Sequence, residues 1–190
     1  MYKAAKIMVA AAAVLTLASC GDSGKDTAAP AASSPASAPA SATQPPPTKG
    51  KECTADDIKT TGKFGENPTI TIPDTCDPPK KLITKDLSQG TGTAAKAGDS
   101  LKMNYSLVTW SDKQKLDSSF DRGKTFDLAL GAGKVIQGWD EGLVGIKQGG
   151  RRVLIIPPDL GYGEGGNGIA PNETLVFVTD AVSVTPGTAP

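Results

Sequence analysis

Apolar and polar residues alternate along much of the chain after residue 80, with the period of two that half-buried β-strands show. Leu101–Leu107 and Phe126–Leu130 alternate most clearly, and two further stretches carry runs of four apolar residues, which indicate buried strands. The pattern predicts strands at Lys81–Leu87, Leu101–Leu107, Phe126–Leu130, Arg152–Ile156 and Leu175–Val184.

The spacing of apolar residues fits a helix in one place, Val135–Val144. Residues 135, 136 and 139 share one face if the helix starts there. Two glycines inside the stretch each cost about 1 kcal/mol relative to alanine, so this helix depends on tertiary packing. Trp139 therefore has two interpretations: a core residue, or the floor of a small apolar pocket.

Antiparallel strands separated by turns, with a single short helix, predict an α+β domain in which a twisted antiparallel β-sheet wraps around that helix. We place this domain at residues 80–185 and a short tail at 186–190. Residues 51–79, rich in Asp, Gly and Pro, form an N-terminal extension with one strand at Thr69–Ile72, which we expect to add an edge strand.

The first nineteen residues have the layout of a secretory signal, with Lys3 and Lys6 before the apolar run Ile7–Ala18. This run is too short for a spanning helix of about 20 residues. It ends in Leu-Ala-Ser-Cys20, which resembles the lipobox of bacterial lipoproteins. Lipidation of Cys20 would anchor the chain to a bacterial membrane outside the cytoplasm. An ordinary signal peptide with an incidental cysteine is the alternative.

Residues 20–50 consist almost entirely of Ala, Ser, Pro, Thr and Gly after the cysteine. Such a segment buries too little apolar surface to offset its ordering entropy, so we expect a disordered tether. It is either a stalk that lifts the domain off the membrane or a plain spacer.

Charge gives no sign of a nucleic-acid surface. The chain has 20 basic and 20 acidic side chains, and removal of the signal leaves 18 basic ones, whereas nucleic-acid binding requires a basic excess. Arg151-Arg152 is a basic pair that adjoins a predicted strand, and we interpret it as a solvated strand end.

Cys53 and Cys76 are expected to form a disulfide, because an exported chain enters an oxidising compartment. Two free thiols are the alternative. The chain has no histidine, which excludes a Ser-His-Asp triad, a Cys-His pair and His-ligated metals. Two cysteines alone make no complete zinc site, so no metal is expected.

Two other motifs point to chemistry that their context does not support. The pairs Asp140-Glu141 and Asp117 with Asp121 do not face each other across a cleft, as glycosidase carboxylates must. Residues 161–166 fit G-x-G-x-x-G, but prolines before and after it leave no strand and helix for a dinucleotide site. We interpret this stretch as a flexible loop that presents Tyr162.

Several motifs follow one another over residues 80–184: Asn104-Tyr105, Leu116–Gly123, Phe126, Val135–Gly142, Ile156-Pro157-Pro158, Gly161-Tyr162-Gly163 and Ile169–Phe177. In order and spacing they resemble the FKBP-type peptidyl-prolyl cis-trans isomerase family, the macrolide-binding immunophilins. The family fold is an antiparallel sheet wrapped around one short helix, in agreement with the periodicity.

The resemblance implies a monomeric enzyme without a cofactor that turns X-Pro bonds of exported or surface proteins by desolvating and twisting the amide. Its partners would be proline-containing polypeptides and macrolide inhibitors. It implies catalytic roles for Asp117, the Tyr162 hydroxyl and the Ile136 N–H, and support of Asp117 by Arg122. The implied substrate contacts are Tyr105, Leu116, Phe126, Val135, Trp139, Ile169 and Phe177, with Trp139 as the floor.

Asp117 is a carboxylate beside an apolar pocket, and burying it unpaired would be costly, so we expect Tyr105 and Arg122 as its partners. A purely structural role for Asp117 is the alternative. Leu116 stands where the family usually has Phe, so a wall ring is lost. This departure keeps open a membrane-anchored chaperone or Pro-peptide-binding module with little turnover, and an adhesin or scaffold is a third class.

Overall fold

Residues 48–187, the part of the chain that the computed structural model describes, form eight strands and two short α-helices. In chain order they are β1 (Lys59–Thr60), β2 (Ile70–Thr71), β3 (Ile83–Ser88), β4 (Ser100–Thr109), β5 (Lys115–Ser118), α1 (Ser119–Arg122), β6 (Phe126–Ala129), α2 (Gln137–Gly142), β7 (Arg151–Ile156) and β8 (Leu175–Thr185). A single 3₁₀ turn, Pro158–Leu160, follows β7.

Six of these strands form one antiparallel sheet in the order β3-β7-β8-β4-β5, and β6 pairs with the other end of β4. The longest ladder joins β4 to β8, from Ser100 opposite Thr185 to Thr109 opposite Leu175. The predicted α+β fold and all five predicted strands are confirmed, with small shifts at their ends. Strand β5 was not predicted.

The helix α2 packs against one face of this sheet, where it covers the main core. It is shorter than predicted: the expected range of Val135–Val144 is wrong at both ends, because Ile136 is an extended N-cap residue and the helix ends at Gly142. The core on this face comes from alternate strand positions. Its most deeply buried side chains include Leu101, Met103, Leu143, Leu154, Ile156 and Leu175.

The expectation of a single helix is wrong, because α1 forms one turn between β5 and β6. The hydroxyl of Ser118 accepts a hydrogen bond from the N–H of Phe120 and caps its first turn. Gly123 ends it in the left-handed conformation, with φ of 62°. The turn connects β5 to β6, and both of these strands pair with β4.

The extension covers the opposite face of the sheet instead of lengthening it. The strand predicted at Thr69–Ile72 is present as β2. Within residues 48–187 it pairs with β1 alone, so the expectation that it adds an edge strand is wrong. The predicted disulfide between Cys53 and Cys76 is present, and both sulfurs lie in a second apolar cluster. Both faces of β7 and β8 are thereby buried, which explains their continuous apolar runs. The cluster joins Cys53, Ile58, Ile72 and Cys76 of the extension to Val153, Ile155, Val176 and Val178 of the sheet.

The interpretation of Arg151-Arg152 as a solvated strand end is wrong, because these side chains are 2% and 8% exposed. Successive strand residues point to opposite faces, so each arginine meets a different layer. Arg151 pairs with Asp180 under the extension. Arg152 pairs with Asp86 and donates to two carbonyls at the C-terminal end of α2, at 2.8 and 2.9 Å. It thus caps the helix, where a cation is favoured.

The predicted signal peptide, Cys20 and nearly all of the predicted tether lie outside the described residues, as do the last three residues of the tail. Among residues 48–187, no helix has the length and apolar character needed to cross a membrane.

Candidate functional site

A cavity of about 200 Å³ opens between α2, the segment before it and the strands β4, β5, β6 and β8. Most of its walls are aromatic and aliphatic, with one carboxylate and one ammonium group among them. The lining residues are Tyr105, Leu107, Asp117, Phe126, Lys134, Val135, Ile136, Trp139, Tyr162 and Phe177.

Four aromatic rings form the apolar part of this cavity. Trp139 lies centrally, with its ring centroid 5.4 Å from that of Tyr105, 5.7 Å from Phe126 and 5.3 Å from Phe177, all in edge-to-face arrangement. Such edge-to-face pairs add about 0.5–1.5 kcal/mol each beyond area burial. Trp139 is only 3% exposed and also belongs to the main core, so the two interpretations of this residue describe one arrangement.

The strand register brings these rings together. Tyr105 and Leu107 point to the same side of β4 because they are two residues apart. Phe177 of β8 lies opposite Leu107, and Phe126 of β6 lies opposite Met103. Side chains from three neighbouring strands therefore converge beneath Trp139.

The carboxylate of Asp140 holds the segment that leads into α2. It accepts hydrogen bonds from the N–H groups of Gly131 and Gly133, at 2.7 and 2.9 Å. Both glycines have positive φ, 75° and 64°, which residues with side chains rarely adopt. The anchored segment brings Val135 and Ile136 to the cavity. The N–H of Ile136 donates to no backbone carbonyl of residues 48–187 and remains available as a donor.

A polar cluster of three side chains adjoins the aromatic rings, and two of its members, Tyr105 and Asp117, line the cavity. Asp117 accepts hydrogen bonds from the Tyr105 hydroxyl and from the Arg122 guanidinium, as expected. The other Nη of Arg122 donates to the Tyr105 hydroxyl oxygen at 2.8 Å, and the guanidinium lies 5.4 Å from the Tyr105 ring centroid. Each member therefore contacts the other two, which fixes the orientation of all three.

This cluster shifts the pKa of two of its members. Burial, reinforced by the hydrogen bond to Asp117, raises the pKa of Tyr105, while Arg122 acts in the opposite direction. The hydrogen bond to Tyr105, together with the nearby Asp117, raises the pKa of Arg122. At neutral pH the cluster thus contains a neutral phenol and a charged guanidinium.

Eight of the ten predicted contact and catalytic residues line the cavity, and Leu116 and Ile169 do not. Leu116 is 40% exposed. Leu116 falls where the β4–β5 ladder shifts register, because Asp117 pairs with Leu107 and Lys115 pairs with Val108. Its side chain lies beside Gly168 of the glycine-rich stretch. Ile169 is buried in the core beside the cavity.

Sequence reasoning missed two lining residues, Leu107 and Lys134. Leu107 could have been found, because it lies two positions after Tyr105 on the same face of a predicted strand. Lys134 carries no periodic signal and reaches the cavity through the turn held by Asp140.

The glycine-rich stretch after β7 is a series of turns. The N–H of Gly163 donates to the carbonyl of Pro158, and that of Gly165 donates to the carbonyl of Tyr162, at 2.8 and 2.7 Å. A 3₁₀ turn precedes the stretch and no helix opens within it, so the dinucleotide motif is excluded. These turns bring Tyr162 to the cavity wall.

Within residues 48–187, one cluster has metal-ligand side chains close together: Cys53, Asp57 and Cys76. The two sulfurs are bonded to each other and are not available as thiolate ligands.

Comparison with known proteins agrees with this geometry. The family model described as FKBP-type peptidyl-prolyl cis-trans isomerase matches residues 91–181. The FK506-binding protein of Streptomyces anulatus is 46% identical over 122 residues, which are 63% of this chain and 98% of that protein. The FK506-binding protein of Neisseria meningitidis serogroup B is 42% identical over 106 residues, 54% of this chain and 95% of its own.

Solved structures of similar fold include AtFKBP13, with a TM-score of 0.51 and 33% identity over 56% of this chain and 94% of that one. FkpA from Escherichia coli has a TM-score of 0.52 and 40% identity, and the match covers 56% of this chain and 49% of FkpA. The extension and β3 precede the residues that the family model matches.

Proposed function

This chain belongs to the FKBP-type peptidyl-prolyl cis-trans isomerase family and is a peptidyl-prolyl isomerase. On that premise, we propose that the X-Pro bond of the substrate peptide rotates in the four-ring cavity. Proteins of this family bind proline-containing peptides and FK506-type macrolides. The observation that carries the proposal is the apolar cavity bounded on one side by the Tyr105–Asp117–Arg122 cluster.

The energetic demand on such a site is modest. Rotation about an X-Pro bond breaks amide resonance, and the barrier is roughly 18–20 kcal/mol. An increase from about 0.01 to about 10 per second requires the barrier to fall by roughly 4 kcal/mol. No nucleophile or proton transfer is needed, so the absence of histidine from the sequence is no obstacle.

We propose that the rings and the fixed donors divide this task. The twisted amide is less dipolar than the planar one, so an apolar wall that removes water disfavours the planar ground state. Trp139 supports the proline ring from below, and the Ile136 N–H and the Tyr162 hydroxyl donate to carbonyls of the peptide. Fixed donors accelerate the reaction when they fit the twisted form better than the planar one.

We propose that the Asp117 carboxylate stabilises the carbonyl group of the rotating X-Pro bond. As resonance is lost, the carbonyl carbon becomes more like that of a ketone and gains positive character, which a nearby carboxylate favours. Arg122 and Tyr105 hold the carboxylate in place and limit the cost of its partial burial. The alternative of a binding module with little turnover depended on Leu116, which lies outside the cavity.

The experiment is an isomerisation assay with a Leu-Pro peptide, using the full chain and Asp117→Ala. We expect kcat/KM to fall by about tenfold, which corresponds to about 1.4 kcal/mol of the barrier, with native far-ultraviolet circular dichroism. Asp127→Ala is the matched control, because the Asp127 carboxylate also has a basic partner, Lys102, and does not line the cavity. Unfolding of Asp117→Ala would favour the structural role, and unchanged turnover would refute the assignment.

We also propose that the enzyme is exported, lipidated on Cys20 and held as a monomer outside the cytoplasm, where it assists the folding of exported or surface proteins. The support is the signal-like segment that ends in Leu-Ala-Ser-Cys20 and the disulfide of the extension, which suits an oxidising compartment. Metabolic labelling with palmitate and membrane fractionation test the anchor. Cys20→Ala should lose the label and leave the membrane fraction, and size-exclusion chromatography of that variant tests the monomer.

A further inference from the structure

The helix α1 needs support from outside itself, because an isolated helix of four residues does not persist in water. Its position matters because it carries Arg122, which binds both Asp117 and Tyr105. From the sheet, the buried hydroxyl of Ser119 accepts the N–H of Tyr105 at 2.8 Å. This contact fixes the start of the helix and leaves its second half, with Arg122, to other partners.

A loop of the extension supplies one such partner. The side-chain amide of Asn67 donates to one oxygen of Asp121 in α1 at 2.8 Å. The other oxygen of Asp121 pairs with Lys115 of β5 at 2.6 Å. Asp121 directly precedes Arg122, so its carboxylate ties the helix to both the extension and the sheet.

The same loop, residues 62–67, is itself fixed to the sheet by a buried ion pair. The side chains of Arg151 and Asp180 are 3% and 0% exposed. Arg151 donates to the carbonyls of Gly62 and Glu66 at 2.8 and 2.6 Å, and Asp180 accepts the N–H of Gly65 at 2.7 Å. A buried ion pair requires such extra hydrogen bonds to offset its desolvation, so the loop and the pair stabilise each other.

The buried arginine also reaches α1 directly. The guanidinium carbon of Arg151 lies 6.0 Å from the ring centroid of Phe120, within the range of a cation–π contact. Phe120 and Asp121 are consecutive residues of α1. Phe120 contacts the guanidinium of Arg151, and Asp121 accepts a hydrogen bond from Asn67 of the loop. The second half of the helix is therefore held from the side of the extension.

We infer that residues 62–67 of the extension are a positioning element of the active site: they hold α1 where Arg122 reaches Asp117 and Tyr105. This inference rests on the proposed role of that cluster in isomerisation. The family model matches residues 91–181, so the element lies outside the matched residues. Asn67 connects this segment to α1, and the Arg151–Asp180 pair fixes the segment to the sheet.

The test is a double-mutant cycle in the full chain with Asn67→Asp and Arg122→Ala. Asn67→Asp places a second carboxylate against Asp121 and repels α1, while the exposed position of residue 67 leaves the fold intact. Lys63→Ala is the control, because it lies in the same loop, alters the net charge equally and makes no ion pair within residues 48–187. The measurements are kcat and KM for a Leu-Pro peptide, with thermal unfolding of each variant.

We expect Asn67→Asp to lower kcat by about threefold to tenfold, as for coupled residues of one network, while Lys63→Ala leaves it unchanged. In the Arg122→Ala background, Asn67→Asp should have no further effect, which a merely structural role would not produce. Additive effects, or full activity of Asn67→Asp beside an impaired Arg122→Ala, would overturn the inference. Full activity of Arg122→Ala would instead refute the proposed role of the cluster itself.

Discussion

Gly138 in α2 lies so close to Ile156 in β7 that a β-carbon on the glycine would overlap the isoleucine side chain. Gly142 has the same relationship with Leu154. The glycines that weaken this helix by propensity are therefore what allows it to approach the sheet. The close approach brings Trp139, on the same helix, against the rings of the sheet.

Replacement of Gly138 by Ala should destabilise the protein although it improves helix propensity. The propensity gain is about 1 kcal/mol, whereas overpacking a buried contact costs about 1–3 kcal/mol. We expect the free energy of unfolding to fall by up to about 2 kcal/mol in chemical denaturation. Gln137→Ala, an exposed change one residue earlier, should alter it by less than about 0.5 kcal/mol. Equal or greater stability of Gly138→Ala would show that α2 does not need this approach.

The alternation of apolar and polar residues was sufficient to predict the strands in which one face is buried. The strand from Leu101 to Leu107 was predicted because its period of two reflects one buried face. Strand β5 and the helix α1 were missed because each contains a single apolar residue, Leu116 and Phe120, so no period shows. The burial of Arg151 could not be predicted, because its partner Asp180 is distant in sequence and only the folded sheet brings them together.

The ionisation of Tyr105 predicts a loss of stability in alkali. Burial and the hydrogen bond to Asp117 raise its pKa above the ordinary value of 10.0, so the folded protein keeps the phenol protonated where the unfolded chain releases the proton. The contribution is fully present below about pH 10 and is lost as pH rises toward the folded-state pKa.

Urea unfolding at pH 8 and near pH 10.5 measures this effect. We expect the free energy of unfolding to fall more steeply with pH in the wild type than in Tyr105→Phe, which lacks the titrating hydroxyl. The other titrating groups are common to both proteins and cancel in the comparison. Parallel curves for the two proteins would contradict the burial of this hydroxyl.

Phe126 and Leu116 should differ in their effect on turnover, although both are large apolar residues with exposed side chains. The Phe126 ring packs 5.7 Å from Trp139 and lines the cavity, whereas Leu116 does not line it. Phe126→Ala should therefore lower kcat/KM for a Leu-Pro peptide by about tenfold, and Leu116→Ala by less than about twofold.

Leu116→Phe gives the complementary test. Restoring the ring that the family usually has should leave turnover within about twofold of the wild type, because residue 116 does not line the cavity. A large gain in turnover would show instead that residue 116 forms part of the wall.

Prediction of the site succeeded where the family resemblance supplied whole motifs and failed where strand geometry decides. Val135, Ile136 and Trp139 reach the cavity together because one helix start presents them. Leu116 does not line the cavity, and it falls where the β4–β5 ladder shifts register, an irregularity that no period in the sequence reveals. Lys134 enters through a turn held by Asp140, an interaction that no period in the sequence reveals.

The disulfide should contribute substantially to stability. Cys53 and Cys76 are 23 residues apart, and closing such a loop stabilises the fold by roughly 3 kcal/mol on the chain-entropy model. The double variant Cys53→Ser with Cys76→Ser should lose about this amount in chemical denaturation, and reduction of the wild type should have a similar effect. Unchanged stability would mean that apolar packing alone holds the extension on the sheet.

The central claim, that the four-ring cavity turns X-Pro bonds, is tested most directly by cis–trans exchange of a Leu-Pro peptide with the full chain. We predict acceleration that rises with enzyme concentration and is abolished by an FK506-type macrolide, with a change in Trp139 fluorescence as the macrolide binds. Exchange no faster than in buffer alone, at enzyme concentrations where the protein is folded, would contradict it.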